Sequence, residues 1–501
     1  MSVHGSSYPT LLALNSTEAS WVLTLRHGER IVVPATLRNL STYTFLERED
    51  WFEPEAEFVR RLARPGLRSI DIGANIGFYT ILLARGAGPS GFVWAVEPNR
   101  ELTRRLRQSL IENQLTNATV LDVAIGDRRG PAWLIREGSP EFHRVSFAAA
   151  GAAATDAITI ETLDALANQH GIRDVDFVKL DAEGAEAAIL RAGAAFFARE
   201  SPLVMTEIKH GHTVQSELLG LLKELGYRLM RYAPALRCLV PLAGDETDLS
   251  SLNVFAAKAD RLHLLLAADL AVVNGDGVHQ EPAMFADFFR HTEFGHRWIT
   301  EINSLQDWTH GSQASEYRRA LDCYATSRIG TSASVRYAAL RDSFRRLREV
   351  CARRPTVPAL ISHARVALDL GLTDHALPPL DWIVKALRRG EQLDMPEPCL
   401  PLSERYETMA MGIDMIALIT AMVLETYGAC KYATGLNQPE SYDLVENIVR
   451  LGVNAPEFER RRQLYRMFVE TQAGPVFSTA LTDGPAPTVN LDFWRGALPL
   501  A

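Results

Sequence analysis

Up to about residue 260, short β-rich runs alternate with amphipathic helical stretches, and this alternation constrains the fold more than any other feature of the chain. The runs are SIDIG, GFVWAVE, TVLDVAIG, DFVKLD, PLVMTEI and YRLMRY, while segments 101–113, 184–198 and 214–225 carry helical periodicity. The pattern predicts βαβ units around a mostly parallel sheet. Ahead of it, WVLTLRHGERIVVP reads as a hairpin turning at His27 and Gly28, and WFEPEAEFVRRLARPG as a helix ending at Pro65 and Gly66. After it, RCLVPLAGDETDLSSLNVFAAK reads as two further strands joined by an acidic turn.

From about 261 the strand signal fades. SVRYAALRDSFRRLREVCARR and MAMGIDMIALITAMVLETYGA are helix-length, and the second is apolar enough to be buried on most sides. Residues 359–390 read as two helices around Gly371–Asp374, with Ala364, Ala367, Gly371, Ala376, Leu380 and Ala386 as packing positions. This resembles one tetratricopeptide unit; no second copy follows at that period, and an irregular helical domain is the plainer reading. Three regions are expected: an extension over 1–65, an α/β domain over 66–260 and an α-helical domain over 261–501.

Length agrees, since 501 residues exceed what one core usually organises. Hydrophobic residues at 47% and charged residues at 23% are ordinary globular usage, which excludes disordered, collagen-like and disulfide-scaffold classes. A net charge of −9 leaves no electrostatic footprint for nucleic acid or an anionic membrane. Five widely spaced cysteines without a CxxC pair argue against a metal cluster or disulfide framework. The N-terminus lacks a basic segment followed by a sustained apolar stretch, and no run of about 18 apolar residues occurs, so the expected address is cytoplasmic, without a transmembrane segment.

The stretch SIDIGANIGFYT places Asp71 in a strand, Gly73 to Gly77 in a turn and Phe78 at a helix start. Glycines there let the backbone approach a ligand, and the helix N-terminus offers free N–H groups to an anion. The spacing is GxNxG rather than GxGxxG; Asn75 would crowd a diphosphate but leaves room for a single carboxylate such as that of an amino-acid moiety. A plain strand-to-helix turn is the competing account. Glu97 ends the next strand, where an acidic side chain can accept hydrogen bonds from both ribose hydroxyls, and Asn99 can cap the helix that follows. Asp122 to Ala124 end the third strand, where an adenine ring would lie, and Asp127 reads as a plain turn.

DFVKLDAEGAEAAIL is the most distinctive run. Asp181, Glu183 and Glu186 fall within six residues at a carboxyl strand edge. They either complement a helix dipole or face a ligand. Lys179, inside an apolar strand, implies a buried charge network. Glu207 ends the fifth strand and leads into KHGHTVQSE, where His210 is placed to remove a substrate proton. A metal site from Asp181, Glu207 and the histidines has no supporting ligand spacing, and none is expected.

The ordered set DIGANIGFYT, VEPN, VAIGD, TIETLDAL, KLDAEGAE and TEI closely resembles the FkbM-type S-adenosylmethionine-dependent methyltransferases over about residues 20–258. The resemblance implies a Rossmann-like, seven-stranded class I methyltransferase sheet with an antiparallel last strand. It implies that Asp71, Gly73, Asn75 and Gly77 hold the methionine part of S-adenosylmethionine, Glu97 its ribose, and Asp122 to Ala124 its adenine. It also implies that Asp181 with the Glu183 to Glu186 turn faces the methyl-transfer site; His210 as base and Glu207 on the substrate side are expected from their own place at the sheet edge. The implied acceptor is a hydroxyl of a glycan, glycolipid or secondary metabolite. Two other classes remain: a non-catalytic interaction protein whose helical half binds a protein partner or a second copy, and a nicotinamide-dependent oxidoreductase, which GxNxG disfavours.

Overall fold

The apolar runs of the first half become the strands of one mixed sheet: β1 Arg68–Ile72, β2 Phe92–Val96, β3 Ala118–Leu121, β4 Phe177–Leu180, β5 Leu203–Glu207, β6 Arg228–Ala233, β7 Cys238–Pro241 and β8 Asn253–Ala257. In this computed structural model residues 10–12, 19–135, 144–146, 154–210, 213–242, 252–273, 284–301, 315–408, 414–432, 434–436, 438–453 and 455–473 are described. The strand order is β7-β6-β8-β5-β4-β1-β2-β3. Strands β3, β2, β1, β4 and β5 pair in parallel, whereas β8 is antiparallel to both β5 and β6. All of β4 and β8 is buried, which explains why these strands read as mostly apolar runs, broken by Lys179 and Asn253, rather than as alternating ones. The sheet has eight strands, against the seven that the resemblance implies; the eighth, β7, extends the edge beyond β6.

The chain divides into two units. The first holds residues up to Met230, Leu252–Leu264 and Gln463 onward; the second holds Arg231–Ser251 and Leu265–Arg462. The division cuts through β6, so the β7 hairpin is counted with the helical unit although its sequence reads as sheet.

Helices of the first unit that bear on the site include α1 Leu40–Arg48, α2 Glu55–Leu62, α3 Phe78–Ala87, α4 Arg100–Glu112, α5 Leu163–His170 and α6 Glu186–Ala192. In α4, Leu102, Leu106 and Leu110 recur every fourth residue and are buried. The expected hairpin pairs Ser20–Thr24 with Arg30–Pro34, and it packs on α4 through Val32 N–H to Ser109 Oγ at 2.9 Å and Arg30 N–H to Asn113 Oδ1 at 2.9 Å. A second sheet, absent from the sequence reading, joins Ala124–Ile125, Ala154–Glu161, Gly130–Ile135 and Arg144–Ser146 in that order. Residues 49–54 are irregular, so the helix expected from WFEPEAEFVRRLARPG starts only at Glu55.

The second unit is mostly helical. Glu316–Ile329, Ala333–Arg353, Val357–Asp369, Thr373–Arg388, Met415–Lys431 and Pro439–Arg450 are its longer helices, each packed on the next. Leu321, Leu340, Ala364, Ala367, Leu380 and Met422 lie in one buried core. Gly371 turns between two of the helices at φ +79°, and a Cβ there would lie 2.4 Å from the Tyr232 carbonyl oxygen. No helix among the described residues is long and apolar enough to cross a membrane.

Candidate active site

Strand order reverses direction between β1 and β4, and in open α/β sheets the crevice at the carboxyl ends of such a pair is where ligands bind. A cavity of about 1050 Å³, including its open mouth, lies there.

Its floor begins at Asp71 on β1. This side chain is 1% exposed; Oδ2 accepts from Thr80 Oγ1 at 2.6 Å, and Oδ1 has no hydrogen-bond partner among the described residues. Burial raises the Asp71 carboxyl above the usual range, opposed by the nearby Lys179 ammonium. The chain then turns at Gly73, φ +77°, where a Cβ would fall 1.7 Å from the Asp181 carbonyl oxygen. Left-handed backbone and close approach both demand glycine. Asn75 is also left-handed at φ +51°, and its Oδ1 accepts from Ile76 N–H at 2.8 Å, so its side chain steadies the loop. Gly77 lets α3 start against α4, because a Cβ would lie 2.0 Å from Leu106 Cδ1.

Glu97 clips this loop to the end of β2. One carboxylate oxygen accepts from Asn75 N–H at 3.0 Å and the other from Asn99 N–H at 2.8 Å. Burial pushes its carboxyl up to about 7, against the lowering effect of the two N–H bonds. Beyond it, Leu102, Val123, Ala124, Ile125 and Leu134 give the cavity an apolar end. Asp122 does not line it: its carboxylate is exposed and holds Arg107 at 2.9 Å. The expected Asp122 contact therefore gives way to Val123, Ala124 and Ile125.

The opposite end is charged. Buried Lys179 donates to Asp181 Oδ2 at 2.7 Å, and its Nζ lies 5.2 Å from the Tyr79 ring centroid. Burial alone would lower this ammonium, but Asp181, Asp71 and Glu53 outweigh that and hold it above its ordinary value. Glu183, left-handed at φ +48°, lines the cavity; desolvation, then Asp181 and Glu186, push it up to about 7. Glu186 is a brace rather than a substrate-side group: it is fully buried, and its Oε1 accepts from Ala182 N–H at 2.8 Å and Gly184 N–H at 3.1 Å. Glu207 is not among the lining residues, though Asp181, Glu183 and Glu53 act on it electrostatically; desolvation first, then these charges, push it up to about 8. His210 lies in a two-residue strand paired with Thr213–Val214; its side chain lies outside the described residues, as does His212.

Sequence reasoning missed one wall. Ser41 and Phe45 from α1, Trp51 and Glu53 from the irregular segment, and Phe78 and Tyr79 from α3 all line the cavity. The Phe45 and Trp51 rings lie 5.3 Å apart, Phe45 and Phe78 5.7 Å, and the Tyr79 hydroxyl donates to Glu53 Oε2. The available signal was Pro54: a proline starting a helix leaves the preceding WFE outside it. Among the described residues no group of three or more His, Cys, Asp or Glu side chains is placed to hold a metal ion.

A doubly wound α/β domain with a glycine turn at its topological switch point is thus the class that fold and site define. Residues 71–229 match the family model of the methyltransferase FkbM domain, and the first unit carries a domain of that family. No curated protein matches the chain. Among solved structures it is similar to the methyltransferase FkbM from Methylobacillus flagellatus KT, at 18% identity over 38% of this chain and 43% of that one, with a TM-score of 0.27. The chain therefore spans less than half the length of that protein. It is also similar to a SAM-dependent O-methyltransferase from Thermotoga maritima (18% identity, 47% and 77% of the chains, TM-score 0.27). A third is Aeropyrum pernix fibrillarin with natively bound S-adenosyl-L-methionine (14%, 50% and 99%, TM-score 0.26).

Proposed function

We propose that the first unit is an S-adenosylmethionine-dependent O-methyltransferase whose acceptor is a hydroxyl of a glycan, glycolipid or secondary metabolite. The observation that carries this reading is the Gly73–Gly77 loop, clipped by Glu97 over a buried Asp71 whose second oxygen has no hydrogen-bond partner among the described residues. That oxygen and the close Gly73 cradle fit the amino-acid end of the cofactor, Glu97 its ribose, and the apolar end around Ala124 its adenine. When bound, S-adenosylmethionine supplies a methyl group that is already electrophilic.

The chain's own task is then to align an acceptor oxygen and take its proton. Asp181, fixed by Lys179 at 2.7 Å, orients the acceptor at the charged end. Glu183, which lines the cavity and is pushed up to about 7, is basic enough to accept a proton near neutrality. His210 is the alternative base. The five cysteines, all free, suit a reducing cytoplasm.

Calorimetry with S-adenosylmethionine, S-adenosylhomocysteine and NAD tests the reading. The first two bind and NAD does not; binding of NAD alone would make the domain an oxidoreductase, and binding of none a scaffold. Mass spectrometry of glycans and metabolites from a deletion strain, searched for the loss of one methylene, identifies the acceptor.

A further inference from the structure

We propose that Glu53, carried into the cavity by the irregular segment ahead of the family-matched residues, selects for the charge of the cofactor: it favours a cationic sulfonium and releases the neutral thioether product. This rests on the methyltransferase reading above and adds to it a residue outside 71–229.

Among the described residues lining the cavity, Glu53, Asp71, Glu97, Asp181 and Glu183 carry carboxylates, and Lys179 alone carries a positive charge. Glu97 spends both oxygens on backbone N–H groups. Lys179 is committed to Asp181 at 2.7 Å and to the face of Tyr79. Tyr79 in turn donates its hydroxyl to Glu53, so the phenol bridges the lysine and the glutamate and fixes the Glu53 carboxyl at the cavity. Asp71, 1% exposed, keeps one oxygen without a hydrogen-bond partner among the described residues. The cavity thus holds more carboxyl groups than its single ammonium balances. Burial raises both Glu53 and Asp71 above the usual carboxylate range, against the lowering effect of Lys179, and a second cation beside them would favour their charged forms. The neighbouring rings of Phe45, Trp51 and Phe78 form an aromatic wall, and ring faces favour a cation further. A positively charged occupant satisfies this arrangement; a neutral one of the same shape does not.

Calorimetry on the full chain compares three probes of one shape: S-adenosylmethionine with its sulfonium, sinefungin with an amine in that place, and neutral S-adenosylhomocysteine. The wild type binds the two cations more tightly. Glu53→Gln, which keeps an acceptor for Tyr79, weakens both cations by about ten-fold and leaves S-adenosylhomocysteine unchanged. Tyr79→Phe, which removes the hydroxyl without removing charge, keeps the preference for cations. Equal weakening of all three probes in Glu53→Gln, no change in any, or a Tyr79→Phe loss as large as that of Glu53→Gln would each overturn the inference while leaving the methyltransferase reading intact. Failure of the wild type to bind any probe would instead overturn that reading.

Discussion

Gly73 is the residue on which the site depends most. Its left-handed φ and a hypothetical Cβ 1.7 Å from the Asp181 carbonyl oxygen exclude every side chain. Gly73→Ala should destabilise the first unit by on the order of 3 kcal/mol, combining backbone strain with overpacking against backbone, and should part the β1 and β4 ends. Urea unfolding checks it; a stability change below about 1 kcal/mol would show that the cradle relaxes. For Glu97→Ala, cofactor binding should weaken about ten-fold or more, since charge-assisted hydrogen bonds are lost; unchanged affinity by calorimetry would refute the ribose assignment. That Gly73, Asn75 and Gly77 form a tight strand-to-helix turn and that Glu97 ends the next strand were legible, because such turns permit few residue types. Asp122 and Glu186 were not, because spacing does not say where a carboxylate finds its nearest donors. Asp122 finds Arg107, and Glu186 finds the N–H groups of its own loop. Glu53 and Tyr79, 26 residues apart, meet only in the fold.

At the scale of elements, the strands and their order along the chain were readable from apolar runs, and so were the longer helices from their periodicity. The second sheet of the first unit escaped because Gly130–Ile135 pairs with Ala154–Glu161 across residues 136–153, a separation too long for a short hairpin turn to signal. The helix Val357–Asp369 hides a different feature inside an apolar pattern. Arg365 is 1% exposed, with Nε at 2.9 Å from both Asp369 oxygens, Nη1 donating to the Pro401 carbonyl at 2.6 Å and Nη2 to Glu407 at 3.0 Å. Removing one member of a buried pair leaves its partner's charge uncompensated, so Arg365→Met should cost about 3 to 5 kcal/mol. Adding Asp369→Leu should recover part of that loss, which distinguishes an orphaned charge from a packing defect. Denaturant titration of both variants decides between them; no recovery in the double variant would assign the cost to packing.

Across the whole molecule, buried titratable groups of the two units, Glu97 and Glu55 in the first and His363 in the second, should respond to acid in opposite directions. In the first, burial pushes Glu97 up to about 7 and Glu55, with Glu53 beside it, up to about 8. An acid whose folded pKa is raised binds its proton more tightly in the fold than when unfolded, so its contribution falls as pH rises from about 4.5 through these values and returns as pH drops. In the second unit His363 is 6% exposed, stacks on Phe344 with centroids 5.1 Å apart, and has no hydrogen-bond partner at Nδ1 among the described residues. Burial first, then the charges of His375 and Arg348, lower it to about 4. The unfolded chain therefore binds a proton that the fold refuses between about 6.5 and 4, and stability of this unit declines as pH falls through that window, by roughly 3 kcal/mol at most. The sequence shows the change of texture near residue 260 but not this contrast, which depends on which side chains the two cores enclose. Hydrogen exchange at pH 7 and pH 5, corrected for intrinsic rates, should show protection falling in Val357–Asp369 while β1 to β5 hold or gain. His363→Leu should remove the decline in the helical unit and leave the sheet unaffected; equal loss in both units, or a decline that survives the substitution, would place the acid response elsewhere.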